Sequence, residues 1–337
     1  LLKSLDKKSI FRTSTNICIM QNINRRSWLK SSAIAALGAG IPFVESPLIF
    51  DKKEDTVGAI RLNSNENPHG PSSKVLEAIT QSMTKGNLYP WGDKEILRKR
   101  ISKMESMPAD HIYIGAGSTE ILQLAAMAYG LQGGSVVSCY PTFPVLMQKA
   151  HQFEANWIKV DLRDHHYDLQ QLADQVNERT SMLYVCNPNN PTGTHISTDE
   201  LQDFCLHMAR KTMVFVDEAY IEFSDKGLSG SLAPLVRDHP NLIVARTFSK
   251  IYSIAGLRVG YAYAHPQTLK TMRKHRIGHG MNVPITSIHA GVAALDDQDF
   301  VKYCKMQNDQ AKELVYAAFE GWNVDYVPSH TSFVYFK

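Results

Sequence analysis

Cysteine is scarce in this chain. Cys18, Cys139, Cys186, Cys205 and Cys304 are spread over 337 positions, too few and too scattered for a disulfide scaffold or a zinc ribbon. Cys139 and Cys186 lie in apolar, strand-like runs and read as buried small hydrophobes. A long apolar run is missing as well. The stretch at residues 31–44 is short and rich in Gly and Ala, so no stable membrane span is expected. Charge of one sign is also lacking: 36 Lys and Arg against 33 Asp and Glu leave a net charge of +3. Several of the basic residues fall in the first thirty positions, and no basic stripe interleaved with aromatics runs through the body, which argues against a nucleic-acid partner. Thirteen histidines raise the question of a metal. His275 and His279 share a spacing of four, but Arg276-Ile277-Gly278 between them supplies no acidic partner, and no metal site is expected. Repeats and low-complexity segments are absent.

What is present fits a globular enzyme. Hydrophobic residues make up 44% and charged residues 20%, and the length allows one large domain, or one large and one small. The first internal Met is Met20. Asn24-Arg25-Arg26-Ser27-Trp28-Leu29-Lys30 and the modest apolar stretch after it resemble a twin-arginine export signal. Export to the periplasm is the expectation; the alternative is a basic tail on a cytoplasmic protein. Residues 1–50 are therefore read as a leader, followed by a charged linker at 51–57. At the other end the chain stops inside a strand-like run, residues 332–336, which suggests a body lacking its C-terminal part.

Along the body, short apolar runs at 111–114, 135–139, 182–186, 213–216, 242–245 and 259–264 alternate with stretches of helical periodicity, among them 72–83, 119–131 and 198–211. Strands without polar alternation, set between helices, predict an α/β fold with a doubly wound, mostly parallel sheet. Chemistry in such sheets gathers at the C-terminal ends of the strands.

Those ends carry distinctive residues. The first gives Gly115-Ala116-Gly117-Ser118-Thr119-Glu120 at a helix start, where glycines and free N–H groups suit an anion such as phosphate. Glu120 stands where a dinucleotide fingerprint has its third glycine, which argues against that motif. Ser118 also reads as a plain N-cap. The second end gives Tyr140-Pro141-Thr142-Phe143-Pro144, whose aromatics either fill core or stack on a flat ring. The third, Asn187-Pro188-Asn189-Asn190-Pro191-Thr192-Gly193, specifies a rigid turn displaying amide groups. The fourth, Asp217-Glu218-Ala219-Tyr220, puts a carboxylate directly after a buried run, costly unless a cation meets it. The fifth crowds Thr247, Ser249, Lys250 and Arg258 into one loop, suiting a phosphate and a reactive amine together.

In combination, and in this order, these features resemble the pyridoxal-phosphate (PLP) enzymes of fold type I, most closely the histidinol-phosphate aminotransferase group. The resemblance runs from about Arg61 to the end. It rests on residues 62–68 with Gly70-Pro71, Tyr89-Pro90, residues 117–120, 187–193 and 217–220, and 247–250 with Arg258. It implies PLP as cofactor and Lys250 as the lysine that carries it and moves the substrate proton. Asp217 would pair with the ring nitrogen. Asn190 and Tyr220 would contact the phenolic oxygen, and Phe143 the ring face. Gly117, Ser118, Thr119, Thr247, Ser249 and Arg258 would hold the phosphate. Tyr89 would reach the partner subunit's cofactor, which implies a homodimer with shared sites. Asn65 and His69 fall in the strip that closes over substrate, with His69 where many relatives carry Tyr.

The resemblance also divides the chain. Residues 57–88 would form that strip and part of a small α/β domain, 89–293 the large PLP domain, and 294–337 the start of the C-terminal small domain. The reaction it implies is transamination between an amino-acid or amine donor and a 2-oxo acid or related carbonyl. The alternatives are a PLP decarboxylase or lyase of the same fold, or a non-catalytic binding or regulatory protein of that fold.

Overall fold

The computed structural model describes residues 62–131, 133–276 and 281–337. The paired arginines, the 51–57 linker, Arg61, Cys18 and His279 lie outside the described residues. The described residues form one compact unit.

Its centre is a seven-stranded sheet: β1 (Ile112–Gly115), β2 (Ser135–Tyr140), β3 (Asn156–Asp161), β4 (Thr180–Cys186), β5 (Met213–Asp217), β6 (Leu242–Thr247) and β7 (Gly260–Ala264). The order across it is β1-β7-β6-β5-β4-β2-β3. The six expected runs are all strands of this sheet. They read as unbroken apolar runs because alternate residues feed two separate cores. Val137, Leu183, Val185, Val214, Val216 and Val244 face one side; Val136, Met182, Tyr184, Phe215, Ile243 and Ala245 face the other. Each fully buried branched or aromatic side chain contributes about 1.5–3 kcal/mol, so neither face tolerates the polar alternation of a half-exposed strand.

Two features depart from the sequence pattern. Strand β3 was not anticipated. It sits at the sheet edge beside β2, where Asn156, Lys159 and Asp161 tolerate water and only Val160 is buried, so its apolar signal is weak. Strand β7 runs antiparallel to both neighbours. No crossover helix separates it from β6, and the Phe248 N–H donates to the Val259 carbonyl at 3.2 Å, turning the chain back on itself.

Helices cover both faces: α1 (Ser73–Met83), α2 (Asp93–Glu105), α3 (Gly117–Gly130), α4 (Val145–His151), α5 (Leu169–Asp174), α6 (Thr198–Met208), α7 (Pro266–Arg273), α8 (Ile285–Asp296) and α9 (Gln298–Trp322). α3, α4 and α7 pack on the Phe215 side, and α2, α6 and α8 on the Val216 side. α1 packs against α8, with Lys74 Nζ 3.0 Å from Asp297 Oδ1; the segment after the strip is thereby tied to the helical layer over the large sheet. Beyond α9, the expected strand at 332–336 is reduced to β9 (Tyr335–Phe336), paired antiparallel with β8 (Tyr326–Val327). No described helix is long and apolar enough to cross a membrane.

Candidate active site

The β7 reversal brings three chain segments to one edge. Gly260 pairs with Gly115 on one side and Thr247 on the other, so the start of α3 and the Thr247 loop become neighbours. Gly260 is required there: a Cβ would lie 2.6 Å from Ser118 N and 2.7 Å from the Gly117 carbonyl carbon. Gly117 is required by its backbone. Its φ is +77°, and a Cβ would stand 2.5 Å from Arg258 Nη2.

Helix α3 starts at Gly117, with Ala116 as N-cap and no capping side chain on that residue. Ser118 is therefore not the N-cap. Glu120 reaches back instead: it accepts the Ala116 N–H at 2.5 Å and the Tyr113 hydroxyl at 2.9 Å. The Ser118 and Thr119 side chains are left to line the cavity. Arg258, at φ +50°, is steadied by donation to the Ala255 carbonyl at 3.0 Å and lies 3.5 Å from Thr119 Oγ1. Thr247 donates to Ser249 Oγ at 2.9 Å and accepts the Ser249 N–H at 3.1 Å. Hydroxyls, helix N–H groups and a guanidinium thus converge as an anion cradle.

Asp217, at the end of β5, is 1% exposed. It accepts the Tyr184 hydroxyl and the Ala219 N–H, both at 3.1 Å. Burial pushes its carboxyl up to about 6; those hydrogen bonds and Lys250 pull the other way, and Glu218 adds to the rise. Among the described residues no cationic group lies within ion-pair distance of Asp217. A carboxylate held this deep calls for a cation from a bound group.

Lys250 Nζ donates to the backbone carbonyls of Ser64 (2.9 Å) and Asn65 (3.3 Å) in the N-terminal strip, and lies 5.4 Å from the Tyr220 ring centre. Burial lowers its pKa, while Asp217 and Glu66 oppose the shift. Tyr220, buried, accepts from Asn65 Nδ2 at 3.1 Å, and burial raises its phenol above the ordinary value. The asparagine turn divides its labour. Asn187 exchanges hydrogen bonds with the Ile196 backbone. Asn189 donates to Pro141 O and Thr192 Oγ1. Asn190 faces the cavity.

The cavity of about 500 Å³ is lined by Asn65, Ser118, Thr119, Phe143, Asn190, Asp217, Tyr220, Thr247, Ser249, Lys250 and Arg258, all singled out from the sequence. Gly117 is buried and does not line it; the space a Cβ would take there is filled by the Arg258 guanidinium. Tyr89 and His69 are not brought to it. Tyr89 is 72% exposed against Trp91. His69, turned outward at the Gly70 bend (φ +70°), sets its ring edge-on to Tyr303 of α9, so this chain's cavity does not offer His69 to a substrate. Tyr184 was missed; a phenol inside the apolar run of β4, on the same face as Asp217, was the available signal. Ser64, Glu66 and Cys186 also line the cavity. The described cysteines are free and buried.

An anion cradle, a deep carboxylate and a lysine amine lining one cavity match a flat ring that carries a phosphate and a protonatable nitrogen. Fold and site define a PLP enzyme of fold type I. The family described as aminotransferase class I and II matches residues 57–337, and the chain belongs to it. It is similar to the histidinol-phosphate aminotransferase of Caldicellulosiruptor saccharolyticus, 36% identical over 275 residues, 82% of this chain and 76% of that protein. Among solved structures it resembles a protein from Erwinia carotovora atroseptica described as a histidinol-phosphate aminotransferase (TM-score 0.78, 31% identity, 82% of this chain and 81% of that one). It also resembles the Sinorhizobium meliloti histidinol-phosphate aminotransferase in complex with pyridoxal-5'-phosphate (TM-score 0.76, 26% identity, 80% and 73%). The chain is a PLP-dependent transaminase.

Proposed function

We propose that this aminotransferase moves an amino group between an amino-acid donor and a phosphorylated substrate of the histidinol-phosphate kind, using the residues of the Lys250 cavity. The observation that carries the residue roles is the enclosure of Lys250, Asp217 and the α3 anion cradle in one cavity. The substrate class is supported by the printed function of relatives more than a third identical to this chain.

The cofactor supplies an electron sink for the carbon that bears the amino group. The family resemblance and the lining of the cavity support the following roles for the protein. Ser118, Thr119, Thr247, Ser249 and Arg258 hold the phosphate, and Asn190 and Tyr220 present a side-chain amide and a phenol to the ring oxygen. Phe143 offers an aromatic wall. Asp217 keeps its negative charge where the ring nitrogen is protonated. Lys250, its amine made less basic by burial, takes the proton from the substrate α-carbon and returns it one carbon away. Ser64 and Asn65 close the cavity above that amine and limit the access of water.

Conversion of the bound cofactor to its amine form tests the substrate. Histidinol phosphate is expected to react at least about 10²-fold more efficiently, in kcat/KM, than histidinol, because a site that binds a phosphate leaves polar groups unpaired without it. Equal efficiencies would discard the phosphorylated substrate.

Two chains are inferred to share their sites, with Tyr89 reaching the phosphate of the partner's cofactor. Leu88, Tyr89 and Trp91 are 59%, 72% and 69% exposed, an apolar patch of the kind that a second subunit covers. Mixing Tyr89→Ala with Lys250→Ala subunits tests this. Each hybrid dimer would hold one site with both native residues, so turnover should exceed that of either variant alone. Activity that merely averages the two parents would refute sharing.

A further inference from the structure

The sheet face opposite the Asp217 carboxyl carries a charge cluster for which cofactor binding has no direct use. Glu218 follows Asp217, and Arg246 precedes Thr247, so strand alternation turns both to the far side. Arg246 is fully buried. Its Nε donates to Glu218 Oε2 at 3.0 Å and its Nη1 to Glu105 Oε1 of α2 at 2.7 Å, with the Tyr263 ring centre 5.3 Å from the guanidinium carbon. Glu218 also accepts the Ser231 hydroxyl at 2.6 Å and the Leu232 N–H at 2.8 Å. A third carboxyl, buried Glu222, is pushed up to about 7 by burial and partly drawn back by Arg246. One guanidinium therefore faces three carboxyl groups, and one of these adjoins Asp217 in the chain.

A buried ion cluster is weak evidence for a stabilising role, since well-packed apolar residues of the same volume often serve a fold as well. Its position says more. The Glu218 N–H continues the β5–β6 pairing by donating to Ala245 O at 2.9 Å. The Arg246–Glu218 bridge thus clamps these strands one residue from Asp217 and one from Thr247. We propose that Arg246 is a positioning residue for the cofactor's charge site, neutralising Glu218 behind Asp217 and fixing the two strand ends that present Asp217 and Thr247.

The proposal rests on the reading of Asp217 as the partner of the ring nitrogen. The groups that act on Asp217 are the Tyr184 phenol from β4, the Ala219 N–H, Glu218 and, across the cavity, Lys250; its charge is also felt by Cys186. Glu218 is the anion among them. Left without Arg246 it would hold the Asp217 proton more tightly. The ionised fraction would fall at neutral pH and recover at alkaline pH.

The test is the PLP dissociation constant of cofactor-stripped enzyme, by equilibrium dialysis from about pH 5 to 9. Arg246→Met is expected to move the midpoint of the pH dependence upward from about 6 to about 7, which makes PLP about twofold weaker at pH 7 and nearly tenfold weaker at about pH 5, with recovery at the alkaline end. Glu218→Gln should move it downward, and Arg246→Lys should restore the native profile. A purely structural clamp would weaken binding evenly across pH. An unshifted midpoint in a folded Arg246→Met overturns the proposal. If Arg246→Met does not fold, Glu218→Gln decides alone: a lower midpoint supports the proposal, an unchanged or higher one overturns it. Asp217→Asn separates the two layers. If it keeps the native pH dependence, the reading of Asp217 falls and the inference with it. If it loses that dependence while Arg246→Met keeps the native midpoint, only the inference falls.

Discussion

Replacing Lys250 by Ala is expected to lower turnover by on the order of 10⁴-fold, the upper range for the two roles proposed for it, proton transfer and the covalent link to the cofactor. The protein should still fold and still take up PLP, because the cavity keeps the anion cradle of Ser118, Thr119, Ser249 and Arg258 when the amine is removed. The absorbance of lysine-bound cofactor should vanish, leaving that of the free aldehyde. Lys250→Arg keeps a cation but no nucleophile and should be as inactive as the Ala variant. Native-like absorbance in Lys250→Ala would mean that a different lysine holds the cofactor.

Asp217→Asn is expected to cost the loaded enzyme about 3–5 kcal/mol, on the order of 10²- to 10⁴-fold in turnover, the usual consequence of removing one partner of a buried charge pair. Without cofactor the sign reverses. The folded-state pKa of Asp217 is raised from 3.8 to about 6, so the native fold holds this proton more tightly than the unfolded chain. The associated stability is fully present below about pH 4 and is lost as the pH rises through about 6, a difference of about 3 kcal/mol above that window. Cofactor-free Asp217→Asn should therefore resist denaturant better than cofactor-free native protein at neutral pH, with the gap closing near pH 4. An Asn variant less stable at neutral pH in the cofactor-free form would show that Asp217 is not held at a desolvation cost.

Much of the site was legible because its parts are contiguous. Residues 187–193, 217–220 and 247–250 each sit in one loop at one strand end, and a local motif survives whatever the rest of the chain does. The edge strand β3 was less legible, because an edge needs only one buried residue in this case, Val160, and leaves little apolar pattern. The direction of β7 was hidden too; a short apolar run looks the same whichever way it lies in the sheet.

The sequence by itself determined the fold class and the polar loops at the strand ends, since these follow from apolar periodicity and from turn and helix-start chemistry over a few residues; the part proposed for Lys250 came from the family resemblance those loops carry. Tertiary structure alone decided how those residues behave. Asn190 rather than Asn189 faces the cavity because Asn189 spends its amide on Pro141 and Thr192. Asp217 owes its raised pKa to burial under strands that the linear order keeps apart, with Tyr184 as its partner from 33 residues away. Lys250 meets the strip carbonyl of Ser64 across 186 residues. Burial and electrostatic coupling depend on distance in space, and the order of residues along a chain does not encode that distance locally.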